Sequence, residues 1–328
     1  MQVISGDRVD ALCEYPALID VLDDGFRQGA VSPLRHHHQI PRGGLAEATL
    51  LLMPAWTTAS AGDETAAGAY AGVKLVTVTP DNGKRHALPA ISGLYLLIAT
   101  DTGLPLALID GVQLTVWRTA AASGLASRYL ARKDASRMLM VGAGALAPLL
   151  IAAHASVRPI SHVTIWNRTP DNADALIARL RAERPEITFA RADDLDAAVP
   201  DADIISTATI SETALIKGAL LAPGTHLDCV GAFRPTMRET DDDAITRARL
   251  WVDTMTGGLN EAGDVVIPLK AGVISQDKIE GDLFGLASGA APLRSADDEI
   301  TMFKSVGASI EDLFAAIHVY ERFSAEPS

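Results

Sequence analysis

The chain has 328 residues, 48% apolar and 21% charged, which predicts about two ordinary domains with sizeable cores and argues against wholesale disorder. Its 28 lysines and arginines face 41 aspartates and glutamates, a formal net charge of −13, which argues against nucleic acid or an anionic membrane as the main partner. Two distant cysteines, Cys13 and Cys229, give neither a disulfide framework nor a zinc spacing; with no apparent signal segment or membrane-length apolar run, a soluble cytoplasmic protein is expected.

Residues 8–30 place Leu12, Leu18, Ile19, Leu22 and Phe26 at helical spacing and predict one amphipathic helix. Strand-like segments follow at 49–53, 71–78, 94–99 and 104–109. Turn signals at Asp81-Asn82-Gly83 and Asp101-Thr102-Gly103 separate them, so a mainly antiparallel sheet is expected. The alanine-rich stretch 115–133 predicts a long helix. After Asp134, strands at 138–141, 163–166, 204–208, 226–230 and 250–253 alternate with helices at 146–156, 171–184 and 195–199, the order of a doubly wound parallel sheet. Asp241-Asp242-Asp243 reads as a helix N-terminus, and 297–323 as a helix packing back on the first domain.

The strand at 138–141 runs into Gly142-Ala143-Gly144-Ala145-Leu146-Ala147, a G-x-G-x-x-A turn before a helix. The first glycine permits the turn and the second admits a pyrophosphate. Ala147 keeps helix and strand close, while the helix N-terminus favours the phosphate charge. Gly142, Gly144 and Ala145 are therefore assigned to a dinucleotide. The second strand ends Trp166-Asn167-Arg168-Thr169 without the acid that holds a ribose 2′-hydroxyl. Asn167, Arg168 and Thr169 suit a 2′-phosphate, so NADP(H) is preferred, with NAD(H) as the alternative. Arg168 also fits a solvated residue at a loop entry.

Three cations of the first domain stand out: Arg35 after Pro33-Leu34, Lys74 in the apolar run Gly72-Val73-Lys74-Leu75-Val76, and Arg118. Taken singly, each fits a surface or salt-bridged residue. A lysine in an apolar strand needs a partner, because an isolated buried ammonium is costly, and a substrate carboxylate would serve. His36-His37-His38 lacks metal-ligand spacing and is expected to be exposed, with one ring available beside Arg35; no metal site is assigned. His86 and His226 receive no role. Trp117 fits either a pocket wall or the core.

The succession Arg35, Met53-Pro54-Ala55, Lys74, Asp110-Gly111, Arg118-Thr119-Ala120-Ala121, Gly142-Ala143-Gly144 and Phe303-Lys304-Ser305-Val306-Gly307 resembles the ornithine cyclodeaminase/μ-crystallin family over nearly the whole chain. The resemblance implies an α/β fold: a Rossmann-type doubly wound parallel sheet, residues 122–307, inserted into a mixed α+β substrate-binding and dimerisation domain, residues 1–121 plus 308–328. It implies a homodimer and a small amino or imino acid substrate beside a nicotinamide. The substrate carboxylate would fall to Arg35, Lys74 and Arg118. Thr119, Thr207-Ala208-Thr209, Val230 and Ser305 would lie near the cofactor.

One departure narrows the chemistry. Cyclodeaminases and alanine dehydrogenases of the family carry an aspartate shortly after the Gly-Ala or Gly-Gly that ends a late Rossmann strand. Here the segment is Val230-Gly231-Ala232-Phe233-Arg234-Pro235, with Phe233 at that position and Asp228 upstream inside the strand. Without that acid, ornithine cyclodeamination lacks its best general base. The expectation moves to a ketimine reductase that converts Δ1-pyrroline-2-carboxylate or Δ1-piperideine-2-carboxylate to L-proline or L-pipecolate, a reaction of proline metabolism, with Lys74 as the nameable proton donor. The alternatives are an ornithine cyclodeaminase, an open-chain imino or oxo acid reductase resembling alanine dehydrogenase, and a non-catalytic NADPH and small-ligand binder of the μ-crystallin type.

Overall fold

The computed structural model describes residues 1–58 and 69–327. Contacts divide the chain into one unit of Met1–Thr119 with Ala308–Ser328 and a second, inserted between those segments, of Ala120–Gly307.

The first unit opens with β1 (Gln2–Ile4), α1 (Gly6–Leu12) and α2 (Tyr15–Gln28). The single helix expected over 8–30 is therefore two. Pro16 has no N–H to bond the Leu12 carbonyl, so it cannot extend α1, yet it fits the first turn of α2. Leu18, Ile19, Leu22 and Phe26 form the buried stripe of α2. Next come β2 (Ala30–Val31), β3 (His36–Ile40), β4 (Ala48–Thr57), β5 (Tyr70–Val78), α3 (Asn82–His86), β6 (Ile91–Ala99), β7 (Pro105–Asp110) and α4 (Gly111–Leu130). The sheet order is β1-β7-β6-β5-β4-β2, with β3 also on β4. Only the β1–β7 pairing among these is parallel. The C-terminal helix, Ser309–Ser324, packs on α2 and on β4, β5 and β6 and buries Ile310, Leu313 and Phe314.

The second unit contains β8 (Arg137–Val141), α5 (Ala147–Val157), β9 (His162–Trp166), α6 (Pro170–Glu183), β10 (Thr188–Arg191), α7 (Leu195–Ala198), β11 (Ile204–Thr207), β12 (His226–Cys229), α8 (Asp242–Arg247), β13 (Arg249–Val252), α9 (Met255–Asn260), α10 (Gly263–Lys270), β14 (Ile279–Asp282), α11 (Leu283–Ser288) and β15 (Thr301–Lys304). All neighbours in the order β10-β9-β8-β11-β12-β15-β13-β14 are parallel. This is the doubly wound parallel sheet expected from the alternation, of the Rossmann type that the resemblance implies. The chain leaves β8 for β9 and β10 on one side, then resumes with β11 and β12 on the other. That reversal opens a crevice at the carboxyl ends of β8 and β11.

The expected helix over 297–323 is corrected by this sheet. Thr301–Lys304 is a strand between β12 and β13, with every residue buried. A strand covered on both faces shows no alternation, so periodicity alone does not distinguish it from buried helix. Gly307, at φ +81°, follows before the helix begins at Ser309. Asp241 caps α8 by accepting from the Ala244 N–H, as the acidic run suggested. Among the described residues, no helix is long and apolar enough to cross a membrane.

Candidate active site

In the first unit, Lys74 lies opposite Tyr95 in the β5–β6 register. It is 2% exposed, and its ammonium donates to Asp312 at 2.8 Å and to Thr115 Oγ1 at 3.2 Å. Arg118, less than one turn beyond Thr115 on α4, donates from Nε to Asp312 at 2.9 Å and from Nη1 to Glu311 at 2.5 Å. Both carboxylates stand in the first turn of the C-terminal helix, where its dipole favours negative charge. The partner demanded by a buried lysine is thus supplied by the protein itself, through Asp312.

Burial pushes the Lys74 ammonium down to about 8; Asp312 opposes the shift, while the charges of Arg118 and Arg35 reinforce it. Arg35, immediately before β3, therefore acts electrostatically on the same ammonium. The hydroxyl of Tyr95 is buried without a hydrogen-bond partner among the described residues, and burial raises its pKa well above the usual phenol value. Glu311, Asp312 and Thr115 were not foreseen. Trp117 turns the other way: it packs against Tyr15 at 4.5 Å and donates to Asp10. The Thr119 hydroxyl is spent on the Thr115 carbonyl at 2.7 Å. His36, His37 and His38 are exposed on β3.

In the second unit, Gly142 follows β8 at φ +111°, where a Cβ would lie 2.7 Å from the Ala208 carbonyl oxygen. A Cβ at Gly144 would meet nothing within 4 Å, leaving open space beside the loop that precedes α5. Gly142, Gly144, Asn167, Arg168, Thr169, Ala208 and Thr209 line one cleft of about 350 Å³, joined by the unforeseen Asn172, Ser211 and Leu215. Asn167 braces it: its Oδ1 accepts from the Ala143 N–H at 3.1 Å and its Nδ2 donates to the Thr169 carbonyl at 2.8 Å. Arg168 is exposed and forms no ion pair among the described residues. Ala145 is exposed in the same glycine loop. Open backbone at Gly144, the start of an 11-residue helix and the strand reversal together fit a dinucleotide.

Thr207 stands behind the cleft, its hydroxyl donating to Glu239 at 2.9 Å. Val230 follows β12 and donates its N–H to the Thr207 carbonyl at 2.9 Å. Ser305 follows β15, donates its N–H to the Cys229 carbonyl at 3.1 Å, and has a buried Oγ without a partner among the described residues. Phe233 is 43% exposed, with the Arg234 guanidinium 5.9 Å from its ring centroid. Asp228 is a buried β12 residue that accepts from Ser123 at 2.8 Å and Ser206 at 2.7 Å and bonds His154 Nε2 at 3.0 Å. His226 is likewise internal, its Nδ1 bonded to Thr301 Oγ1 at 2.9 Å.

The sequence profile of the ornithine cyclodeaminase/mu-crystallin family matches residues 5–326. A Delta(1)-pyrroline-2-carboxylate reductase of Colwellia psychrerythraea is 38% identical over 325 residues, covering 99% of this chain and 100% of that protein. The structure of Thermococcus litoralis Delta(1)-pyrroline-2-carboxylate reductase in complex with NADH and L-proline aligns with a TM-score of 0.89 and 32% identity, covering 98% of this chain and 97% of that one. An archaeal alanine dehydrogenase dimer with bound NAD aligns with a TM-score of 0.88 and 26% identity, covering 99% and 96% respectively.

Proposed function

We propose that this chain, which belongs to the ornithine cyclodeaminase/mu-crystallin family, is a nicotinamide-dependent reductase of cyclic imino acids. It takes Δ1-pyrroline-2-carboxylate or Δ1-piperideine-2-carboxylate to L-proline or L-pipecolate, in line with the Colwellia and Thermococcus proteins it resembles. The observation that carries the reading is Lys74, a buried ammonium that titrates near 8 within the field of two guanidiniums. It offers a proton source in a surrounding that attracts a carboxylate. In this reading Met1–Thr119 with Ala308–Ser328 binds substrate, and Ala120–Gly307 binds the dinucleotide.

Arg35, Lys74 and Arg118 hold the substrate carboxylate. Glu311 and Asp312 engage the Nη1 and Nε sides of Arg118 and so fix the plane of its fork before substrate arrives. Asp312 and Thr115 steady the ammonium of Lys74, which gives its proton to the ring nitrogen and later regains one from water. The reduced cofactor, when bound, supplies the hydride that C2 receives. One proton and one hydride convert C=N to CH–NH.

NADP(H) is the preferred cofactor in this reading, supported by the exposed Arg168 in the cleft and the missing acid at the end of β9. NAD(H) remains the alternative, since the Thermococcus and archaeal neighbours bind NADH and NAD. A cytoplasmic homodimer belongs to the same reading. It is supported by the dimeric alanine dehydrogenase neighbour and by Cys13 and Cys229 both being free thiols. That neighbour also favours a second reading, reduction of an open-chain imino acid formed from an oxo acid and ammonia. Phe233 in place of an acid weighs against cyclodeamination.

The deciding experiment follows NADPH absorbance with each cyclic imine, beside NADH, pyruvate with ammonia, and ornithine with NAD. Fast NADPH consumption with a cyclic imine is expected. Turnover of pyruvate and ammonia alone moves the assignment to the open-chain reading. Ammonia release from ornithine alone returns it to cyclodeamination, and cofactor binding without any turnover leaves a binder.

A further inference from the structure

Glu239 has no part in the reaction above, yet five hydrogen-bond donors converge on its carboxyl group. It is fully buried between β12 and α8 and forms no ion pair among the described residues. Its Oε1 accepts from both the N–H and the hydroxyl of Thr209, each at 2.7 Å. Its Oε2 accepts from Thr207 Oγ1 at 2.9 Å, the Gly231 N–H at 2.8 Å and the Ala232 N–H at 3.2 Å. Burial, reinforced by the neighbouring Asp264 carboxylate, raises the Glu239 pKa above the ordinary carboxylate value, while Lys304 and the five donors around its two oxygens favour the charged form.

Behind it, Asp264 Oδ1 accepts from the Glu239 N–H at 2.8 Å and from the Thr240 N–H and hydroxyl at 2.9 Å. Lys304 lies 3.5 Å from Asp264 and donates to the Cys229 carbonyl at 2.9 Å. Glu239, Asp264 and Lys304 are all fully buried. The cluster thus sets two carboxyl groups against one amine, in a buried surrounding where solvent screens charge poorly.

The five donors belong to the carboxyl ends of two neighbouring strands, β11 and β12. Their loops touch: a Cβ at Gly231 would fall 2.2 Å from the Thr209 carbonyl oxygen and 2.4 Å from Glu239 Oε1. Thr209 itself lines the cleft. A dinucleotide with its pyrophosphate at the glycine loop after β8 and one ribose at the end of β9 would extend its other half over β11 and β12.

We propose that Glu239 is a positioning residue that sets the redox preference of the cofactor: the buried negative charge beneath the β11 and β12 loops stabilises the oxidised, cationic nicotinamide over the neutral reduced ring. The proposal rests on the reading of the cleft as a nicotinamide dinucleotide site. Favouring the oxidised form makes the bound reduced form a stronger hydride donor, the direction that imine reduction uses.

The test measures Kd for NADP+ by calorimetry and for NADPH by fluorescence, in wild type, E239Q, the charge-retaining E239D, and D264N. For E239Q and D264N, affinity for NADP+ is expected to fall about tenfold, the scale of one charge acting across several ångströms of protein. Affinity for NADPH should fall less than about threefold, so the bound couple shifts by about 15–30 mV. E239D should keep the wild-type ratio even where both affinities drop. Equal weakening of both forms in E239Q would reduce Glu239 to a scaffold residue and overturn the proposal. If E239Q does not fold, D264N carries the test, and an unchanged ratio there overturns it. Wild type that binds neither NADP(H) nor NAD(H) removes the reading of the cleft, and the proposal with it.

Discussion

Lys74 and Asp312, 238 positions apart in the chain, meet with ammonium and carboxylate at 2.8 Å, and their side chains keep only 3% and 0% of their surface. Burial lowers the lysine to about 8, and Asp312 holds it from falling further. A proton donor works in its protonated form, so kcat/KM for a cyclic imine should decline as pH rises through about 8. Asp312→Asn removes the charge that raises Lys74, and the decline should then begin at lower pH. Profiles of kcat/KM for both proteins decide it: an alkaline limb that stays put in the variant would detach Asp312 from the proton step.

The same pair makes a stability prediction whose sign is fixed by the direction of the shift. The folded pKa of Lys74, about 8, lies below the ordinary 10.5, so between those values the unfolded chain binds the extra proton. The contribution of this residue to stability is therefore full above about 10.5 and is lost as pH falls through about 8. Urea unfolding of wild type and Lys74→Met across that range should show the wild type gaining on the variant as pH rises. A constant difference would mean that the ammonium is not penalised by its burial.

Arg118 separates stability from binding. Arg118→Ala leaves Glu311 and Asp312 buried with one cation fewer and should cost about 3–5 kcal/mol of folding stability. Arg118→Lys keeps a charge but loses the planar fork. It should fold while kcat/KM drops roughly a hundredfold, the worth of one charge-assisted contact of about 2–3 kcal/mol. Unchanged kinetics in a folded Arg118→Lys would confine this arginine to holding the C-terminal helix.

How much of this was legible depends on whether a feature is local. The strand–glycine turn–helix order at β8 and the buried stripe of α2 are set by residues close in sequence, and the structure has both. The break at Pro16 and the strand Thr301–Lys304 depart from the expectation, because one needs a missing N–H weighed against a good helical pattern and the other is buried on both faces. The cations at Lys74 and Arg118 stood out against apolar neighbours, but Glu311 and Asp312 did not. Acids in a first helical turn usually face water, and only the tertiary fold turns these two inward. Lys304, in a buried strand as Lys74 is, carried the same signal and leads to Asp264 and Glu239.

The two glycines of the turn should fail in different ways. At Gly142 a methyl group meets the backbone oxygen of Ala208 at 2.7 Å while φ stays at +111°, so Gly142→Ala should lose about 1–3 kcal/mol of stability along with cofactor binding. At Gly144 nothing lies within 4 Å of the added carbon. Gly144→Ala should therefore keep stability within about 0.5 kcal/mol yet weaken NADPH binding, since the pyrophosphate is what needs that space. Thermal melts with and without NADPH report both quantities. Undiminished affinity in Gly144→Ala would move the phosphates away from this loop.

Arg168 tests the choice of dinucleotide. It is exposed at the cleft and ion-paired to nothing among the described residues, so removing it disturbs no partner in the fold. A 2′-phosphate held by its guanidinium through charged hydrogen bonds is worth about 1.5–3 kcal/mol. Arg168→Ala should then raise KM for NADPH roughly tenfold to a hundredfold and leave KM for NADH within about twofold. Parallel initial-rate series with the two cofactors measure this directly. Equal, small changes in both would make Arg168 a solvated residue at the loop entry, and the preference for NADP(H) would lose its main support.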